Sequence, residues 1–360
     1  MKKETKNKNT DPSITPEKRK IWDEFFKIAF SFLKMEPWKV HGIAEHPFAY
    51  GDPGTSNVAF LSVMGQLGQL FGLAVYPGEE SWQYGTPNED VPPKTETLVK
   101  IDSIILDFIQ PIELGPKERD FYAAMGLPLK QLTLIPSIRS YKPGFYPWSP
   151  DDTEVQFMNY CISLVCQMTG AIQNFSFNPS QMGQSTLVVQ PKEKPEADFM
   201  LNFIHTRREA RSKALGVGSL GKIALPDSYP EICPTMTWEV GTTLLETAVK
   251  DSNNERAFFP RQVMLVDHES TFILGTNAIG PDKSLTQVAA QLIIEAGLQH
   301  ERLPSVIQVN RKDLADALDS FVTGLGSKIE YVKTLTAFNQ AMRAVNKMIK
   351  GDSKDSSFMH

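Results

Sequence analysis

The sequence predicts two mixed domains, an α+β domain over residues 16–250 and an α/β domain over residues 255–350. Three observations lead there. The 360 residues exceed the roughly 100–200 that one core usually organises. A hydrophobic fraction of 41%, with 21 Phe and 5 Trp, supplies real cores and excludes a disordered chain. The C-terminal part alternates short β-favouring runs with helical periods in the order ββαβαβα, whereas the N-terminal part mixes them without that regularity.

Residues 1–15 and 351–360 are polar and read as flexible tails. Thr15–Pro16 is a helix start, with Pro at the first helical position. Trp22, Phe25, Phe26, Ala29 and Leu33 then recur at helical spacing to give one apolar face, ending near Glu36–Pro37. Asn57–Met64 and Phe71–Tyr76 are apolar runs around a glycine-containing loop, the pattern of a hairpin. Lys100–Ile109 is a further strand, and Gly115–Met125 supports a short helix. From Leu132 a strand runs past Arg139, turns at Pro143–Gly144 and reaches Trp148. Ser149-Pro150-Asp151-Asp152 then caps a helix with acids at its positive end, and that helix runs to about Met168. Thr186–Gln190 reads as a strand, residues 198–212 as a helix with a basic end, and Trp238–Thr247 as the last strand of the first domain. Lys250–Glu255 is the expected boundary.

In the second domain Gln262–Asp267 and Thr271–Asn277 flank His268-Glu269-Ser270 as a hairpin. Ser284–Leu298 follows as a helix stopped by Gly297, then the strand Ser305–Val309. The helix Lys312–Leu325, the strand Lys328–Lys333 and the helix Thr336–Ile349 complete it. Helices between strands predict a parallel relation at least for the last two strands.

The strings SVMGQLGQLFGLAVYPG, RSYKPGFYPW and FFPRQVMLVDHESTFILG resemble bacterial proteins that pair two domains of unknown function. The resemblance covers most of residues 20–350, with 170–235 departing from it. It implies an architecture and carries no activity.

Several function classes are disfavoured. A net charge of −5 and a pI near 5.8 oppose the basic balance of a nucleic-acid binder. The Lys-rich start has no apolar stretch behind its charges, which argues against a secretory signal, and no run is long enough to span a membrane. Cys161, Cys166 and Cys233 show no CxxC spacing and suit a reducing cytoplasm, and Cys161 and Cys166, five apart on an expected helix, read as core thiols. Gly216-Val-Gly218-Ser-Leu-Gly221 spells GxGxxG, but a charged helical stretch precedes it and two prolines follow, so neither flank suits a dinucleotide. No cofactor is expected. Arg207, Arg208, Arg211 and Lys213 read as a solvated helix end. His41 and His46, with Glu45 between, are a thin lead toward a metal.

Asp267, ending the first strand of the hairpin, is the sharpest lead toward chemistry. A ribonuclease-H-like nuclease carries a metal-binding acid on its first strand, a second at the end of the strand after the first helix, and a third on the last helix. The ββαβαβα order is similar, with one strand of the usual three-stranded start missing. Asn310 stands at the second position, and the final helix TAFNQAMRAVNKMI has no acid. An amide cannot supply the charge a hard cation requires. The expectation is a degenerate ribonuclease-H-like fold with Asp267 as a lone metal candidate.

The richest binding pattern is Arg139, Tyr141, Lys142, Phe145, Tyr146 and Trp148, since aromatic and cationic groups together make recognition surfaces. Its plainer reading is aromatics closing the top of a sheet. The function expected is that of a non-enzymatic binding or adaptor protein of the bacterial cytoplasm, meeting an unknown protein or small ligand, with no membrane and no nucleic acid. The alternative is a metal-dependent phosphodiester hydrolase using Asp267 with Asp107, Glu239 or Asp282.

Overall fold

The computed structural model describes residues 14–40, 43, 47–51, 58–78, 101–174, 186–190, 200–204, 218–220, 230–245, 247–250 and 256–355. The chain forms two compact units, Met1–Lys142 with Pro147–Arg211, and Pro143–Tyr146 with Ser212–His360. The class is α+β, with one sheet in each unit. No described helix is long and apolar enough to cross a membrane.

The first unit opens with α1 (Pro16–Met35), whose N-cap Thr15 accepts the Lys18 N–H through its hydroxyl at 3.1 Å. Glu36 ends it in the left-handed region, donating its N–H to the Phe32 carbonyl. The strands β1 (Phe48–Gly51), β2 (Val58–Met64), β3 (Gly72–Pro77), β4 (Ser103–Ile109) and β5 (Ile135–Tyr141) follow, with α2 (Pro116–Ala124) between β4 and β5. Next come α3 (Asp152–Asn174), β6 (Thr186–Gln190) and β7 (Met200–Ile204). The sheet order is β5-β4-β3-β2-β1-β6-β7, antiparallel except where β1 meets β6. One face carries the core: Leu61, Leu73, Leu106 and Ile138 from the strands meet Trp22, Phe25 and Phe32 of α1 and Met158 and Ile162 of α3. Each such large side chain contributes about 1.5–3 kcal/mol by leaving water.

The expected hairpin is β2–β3, paired from Ala59↔Pro77 to Met64↔Gly72. Two expectations need correction. Residues 200–204 form a strand, because backbone pairing with β6 from Thr186↔Ile204 to Gln190↔Met200 outweighs helix propensity; the rest of the expected helix, with its basic run, lies outside the described residues. The α3 helix starts at Asp152 behind Asp151, so Pro150 precedes the cap, and it continues to Asn174.

The second unit comprises β8 (Glu231–Leu244), β9 (Arg261–Asp267), β10 (Ile273–Ile279), α4 (Leu285–His300), β11 (Arg302–Val309), α5 (Lys312–Gly324), β12 (Lys328–Tyr331) and α6 (Thr336–Asp355). Its sheet order is β10-β9-β8-β11-β12, with β8, β11 and β12 parallel and β9 antiparallel to both neighbours. The strand expected to close the first domain is thus the central strand of the second sheet. The boundary lies ahead of β8 instead of at Lys250–Glu255, and the order is βββαβαβα. Composition does not reveal this, because residues near 250 are polar whether they divide domains or only strands.

Trp238, Val240, Val263 and Leu265 face α4 and α5, while Met264 and Val266 face Phe338 and Ala341 of α6. The helix α4 does not stop at Gly297; it runs to His300 and turns at Glu301, φ 52°. Gly297 is there for proximity, since a Cβ would stand 2.7 Å from Cδ2 of Leu303 on β11. The last helix likewise runs past Ile349 to Asp355, through part of the expected tail; residues 1–13 and 356–360 lie outside the described residues.

Candidate functional site

Arg139 on β5 reaches α2 and grips Glu118, with Nη2 donating to Oε2 at 2.9 Å and Nη1 donating to Oε1. That hydrogen bond raises the guanidinium further above its usual value. Lys142 bridges Asp102 at 3.3 Å and Glu154 at 2.9 Å. Burial alone would lower its ammonium; the bonds to those carboxylates raise it. Glu154 also accepts the Ser140 hydroxyl at 2.8 Å and the Asp151 N–H at 3.1 Å, while its own N–H donates to Asp151 Oδ1 at 2.8 Å, a reciprocal cap on α3. Burial works against the charged form of Glu154, yet these donors hold its carboxyl below the usual range. Trp148 exchanges both backbone hydrogen bonds with Ser140, at 2.9 and 3.0 Å, and Tyr141 ends β5 opposite Ser103.

Phe145 and Tyr146 belong to the second unit. Phe145 meets Phe258 edge to face at 6.5 Å and lies under the Arg256 guanidinium at 5.7 Å. Tyr146 donates its N–H to the Ala257 carbonyl at 2.8 Å, and its carbonyl accepts from Arg256 at 2.8 Å. The six residues that the sequence gathers are therefore divided between units, four with the first and two with the second. Their cationic heads are engaged inside the protein, and Tyr146 and Trp148 show the largest exposures, 48% and 37%.

At the β9–β10 turn, Asp267 Oδ2 accepts the Ser270 N–H at 2.9 Å and the Ser270 hydroxyl at 2.6 Å. Asp267 stands opposite Trp238 in register, so its side chain shares the α4–α5 face of the sheet. Glu239 is one residue along β8 and points the other way, 0% exposed. There its Oε1 accepts the Ala337 N–H at 3.2 Å and lies 2.6 Å from His268 Nδ1, and its Oε2 accepts the Phe338 N–H at 2.8 Å. The carboxylate sits on the N-terminus of α6, where free amides and the helix dipole favour an anion. Gly241 makes the approach possible, since a Cβ would meet the Phe338 ring at 2.3 Å. Asp282 is exposed beside Lys283, 3.8 Å away. Asp107 belongs to the first unit, on β4, where burial pushes its carboxyl up and Arg139 only partly opposes this. Among the described residues no three His, Cys, Asp or Glu side chains gather as a metal would require. His41, His46 and the basic run lie outside the described residues.

A cleft of about 160 Å³ opens in the first unit between α1, α2 and β5, lined among others by Lys18, Trp22, Lys117, Phe121, Tyr122 and Ile138. Trp22 is 5% exposed, and its indole N–H is buried without an acceptor. Leaving such a donor unmatched costs about 1–3 kcal/mol. Phe121 stands edge to face against the indole at 4.8 Å, with the Lys18 ammonium 5.5 Å from its ring centre.

Residues 22–189 match the family model of a domain of unknown function, DUF7309, and residues 230–346 match that of a second, DUF6930. The chain pairs two domains of unknown function. The first match runs from α1 into β6 and leaves out β7 at the edge of the first sheet, and the second runs from the start of β8 into α6. No curated protein matches the chain.

Sequence reading placed Trp22 on an apolar face and missed the cleft. A tryptophan between Lys18 and the aromatic side of a short helix was the available signal, but helical periodicity reports burial and says nothing of an unmatched N–H. The thiols divide as well. Burial pushes Cys161 up to about 12 and Cys166 up to about 11, as core thiols require. Cys233 instead lies at the start of β8 with its thiol lowered by the Thr235 hydroxyl, so it is not a core residue. Within GxGxxG, Gly218 to Leu220 are described: the Gly218 carbonyl accepts the Thr286 hydroxyl at 3.2 Å and the Ser219 carbonyl that of Ser284 at 2.8 Å, which ties this loop to the start of α4.

Proposed function

We propose that this chain is a non-enzymatic binding protein of the bacterial cytoplasm, whose second unit keeps a ribonuclease-H-like topology without the metal chemistry. The reading rests on one observation: the carboxylate of Glu239, the acid on the first strand of that sheet, is committed on both oxygens to the start of α6 and to His268. A three-stranded meander followed by two helix–strand units, with the first strand central, is the order such nucleases use. The acids they need are not offered to solvent in this arrangement. Asn310 follows β11 where a second acid would stand, and Asp267 closes its own turn. Three free cysteines suit a reducing compartment. The partner is an unidentified protein or a small ligand, with the surface of the first unit as the binding face.

Thermal denaturation in Mn²⁺ or Mg²⁺, run alongside cleavage assays on DNA and RNA, tests the metal-free reading. The midpoint is expected to stay within about 1 °C, because a cation without a native-state site adds no linkage stabilisation. A metal-dependent rise that Asp267→Asn removes, accompanied by cleavage, would establish the hydrolase instead.

A further inference from the structure

We infer that the outer edge of β10 pairs with β10 of a second copy of this chain, joining the two second-unit sheets into one. This adds a partner to the binding-protein reading and does not depend on it.

The backbone sets the edge. The strand β10 ends the order β10-β9-β8-β11-β12. Across its hairpin the Asp267 N–H donates to the Phe272 carbonyl at 2.9 Å. Alternate residues of β9 therefore turn toward β10, and their partners Gly275 and Asn277 turn back. Thr276 and Ala278 direct their N–H and C=O groups outward, where no described residue pairs with them. Thr276, Asn277 and Ala278 are all exposed.

Other edges of this protein are guarded. Beside β5, Trp148 exchanges both backbone hydrogen bonds with Ser140, and Pro136 lacks an N–H and gives its carbonyl to the Tyr122 hydroxyl. The strand β12 has four residues and exposes Lys328 and Glu330. Cover, proline, short length and charge are the usual protections of an edge. From Ser270 to Gly280 there is no charge and no proline. A bulge after Ile273 takes Leu274 out of the ladder and leaves Gly275–Ile279 regular.

Charge selects the occupant and its direction. An uncharged strand can face itself across a two-fold axis without opposing like charges. Antiparallel pairing about Asn277 sets Thr276 opposite Ala278 of the second copy, and by symmetry the reverse, for four backbone hydrogen bonds in all. It also carries the exposed Glu269 of the turn toward the exposed Lys283 past the other end, whereas parallel pairing would bring Glu269 to Glu269. Apolar cover comes from α4, which lies over β9 and β10; a Cβ at Gly275 would stand 3.0 Å from Leu292 Cδ2. With strands about 4.8 Å apart, the two α4 helices come side by side at about 10 Å, an ordinary packing distance. Val288, half-buried and one turn from Leu292, lies on that flank.

Sedimentation equilibrium of the full chain, with hydrogen exchange at the Thr276 and Ala278 amides, tests this. A mass of twice 40.3 kDa is expected at about 100 µM, a range that small interfaces reach, with both amides slowing as concentration rises. Ala278→Pro removes an outward N–H and leaves the bonds to β9 in place. Symmetry makes that two bonds per dimer, so the dissociation constant should rise about tenfold or more. Should the variant lose its fold by circular dichroism, Thr276→Lys/Ala278→Lys makes the same test by setting like charges opposite each other. A monomer with both amides exchanging fast, or a dimer that neither variant weakens, overturns the proposal. Protection of the two amides in a chain that stays monomeric would put some other segment on the edge and overturns it equally.

Discussion

At the scale of single residues, two carboxylates hold helix starts, and each makes a distinct prediction. Glu154 accepts from Lys142, Ser140 and the Asp151 N–H, so Glu154→Gln should cost about 1–2 kcal/mol in urea unfolding at neutral pH. The sign of the pH dependence follows from its lowered carboxyl. A group that ionises more readily folded than unfolded contributes fully above the ordinary carboxylate value and loses that contribution as pH falls through the lowered folded value. The stability gap between the wild type and Glu154→Gln should therefore close on acidification through that window. Glu239→Ala removes a buried acceptor from two helix amides and from His268; about 3 kcal/mol of destabilisation is expected, with faster hydrogen exchange at the Phe338 amide as the local readout.

At the scale of elements, close approach decides where glycine is required. In Gly297→Ala the new Cβ would collide with Leu303, 2.7 Å away, so the Leu303 side chain must turn aside or α4 lift from β11, at about 1–3 kcal/mol. Trimming the partner in Gly297→Ala/Leu303→Ala should cost less than the sum of the single changes, the mark of two side chains competing for one space. The same glycine shows what a sequence conveys. It read as a helix stop, because glycine near the end of an apolar period usually is one, and only the neighbouring strand reveals its other purpose. The amphipathic α1 and the β2–β3 and β9–β10 hairpins were legible because their signals are local. The strand β7 read as helix, and β8, though legible as a strand, was given to the wrong domain, because pairing decides both: β7 pairs with β6, and β8 sits between β9 and β11. The cleft was hidden for a related reason, since Trp22, Lys117 and Ile138 are brought together by tertiary packing alone.

At the scale of the whole molecule, the second unit is not a continuous stretch of sequence. It includes Pro143–Tyr146, which the chain supplies before it returns to the first unit at Pro147. The Gly144 carbonyl accepts the Phe259 N–H at 2.9 Å, Tyr146 donates to the Ala257 carbonyl at 2.8 Å, and Phe145 packs on Phe258. A fragment of residues 212–360 keeps the whole β10-β9-β8-β11-β12 sheet and its three helices, so it should unfold cooperatively. It lacks the strip that pairs with residues 257–259, and two backbone hydrogen bonds, the Arg256 bond to the Tyr146 carbonyl and the ring contacts of Phe145 and Tyr146 with Phe258 and Phe259 contribute about 3–5 kcal/mol. The fragment is therefore expected to unfold at lower urea concentration than the same unit in the full chain, with the Phe259 amide losing its protection from exchange first. Equal midpoints and an equally protected Phe259 would mean that these four residues rest on the unit without supporting it. In that event the Pro143–Gly144 turn would be a connection alone.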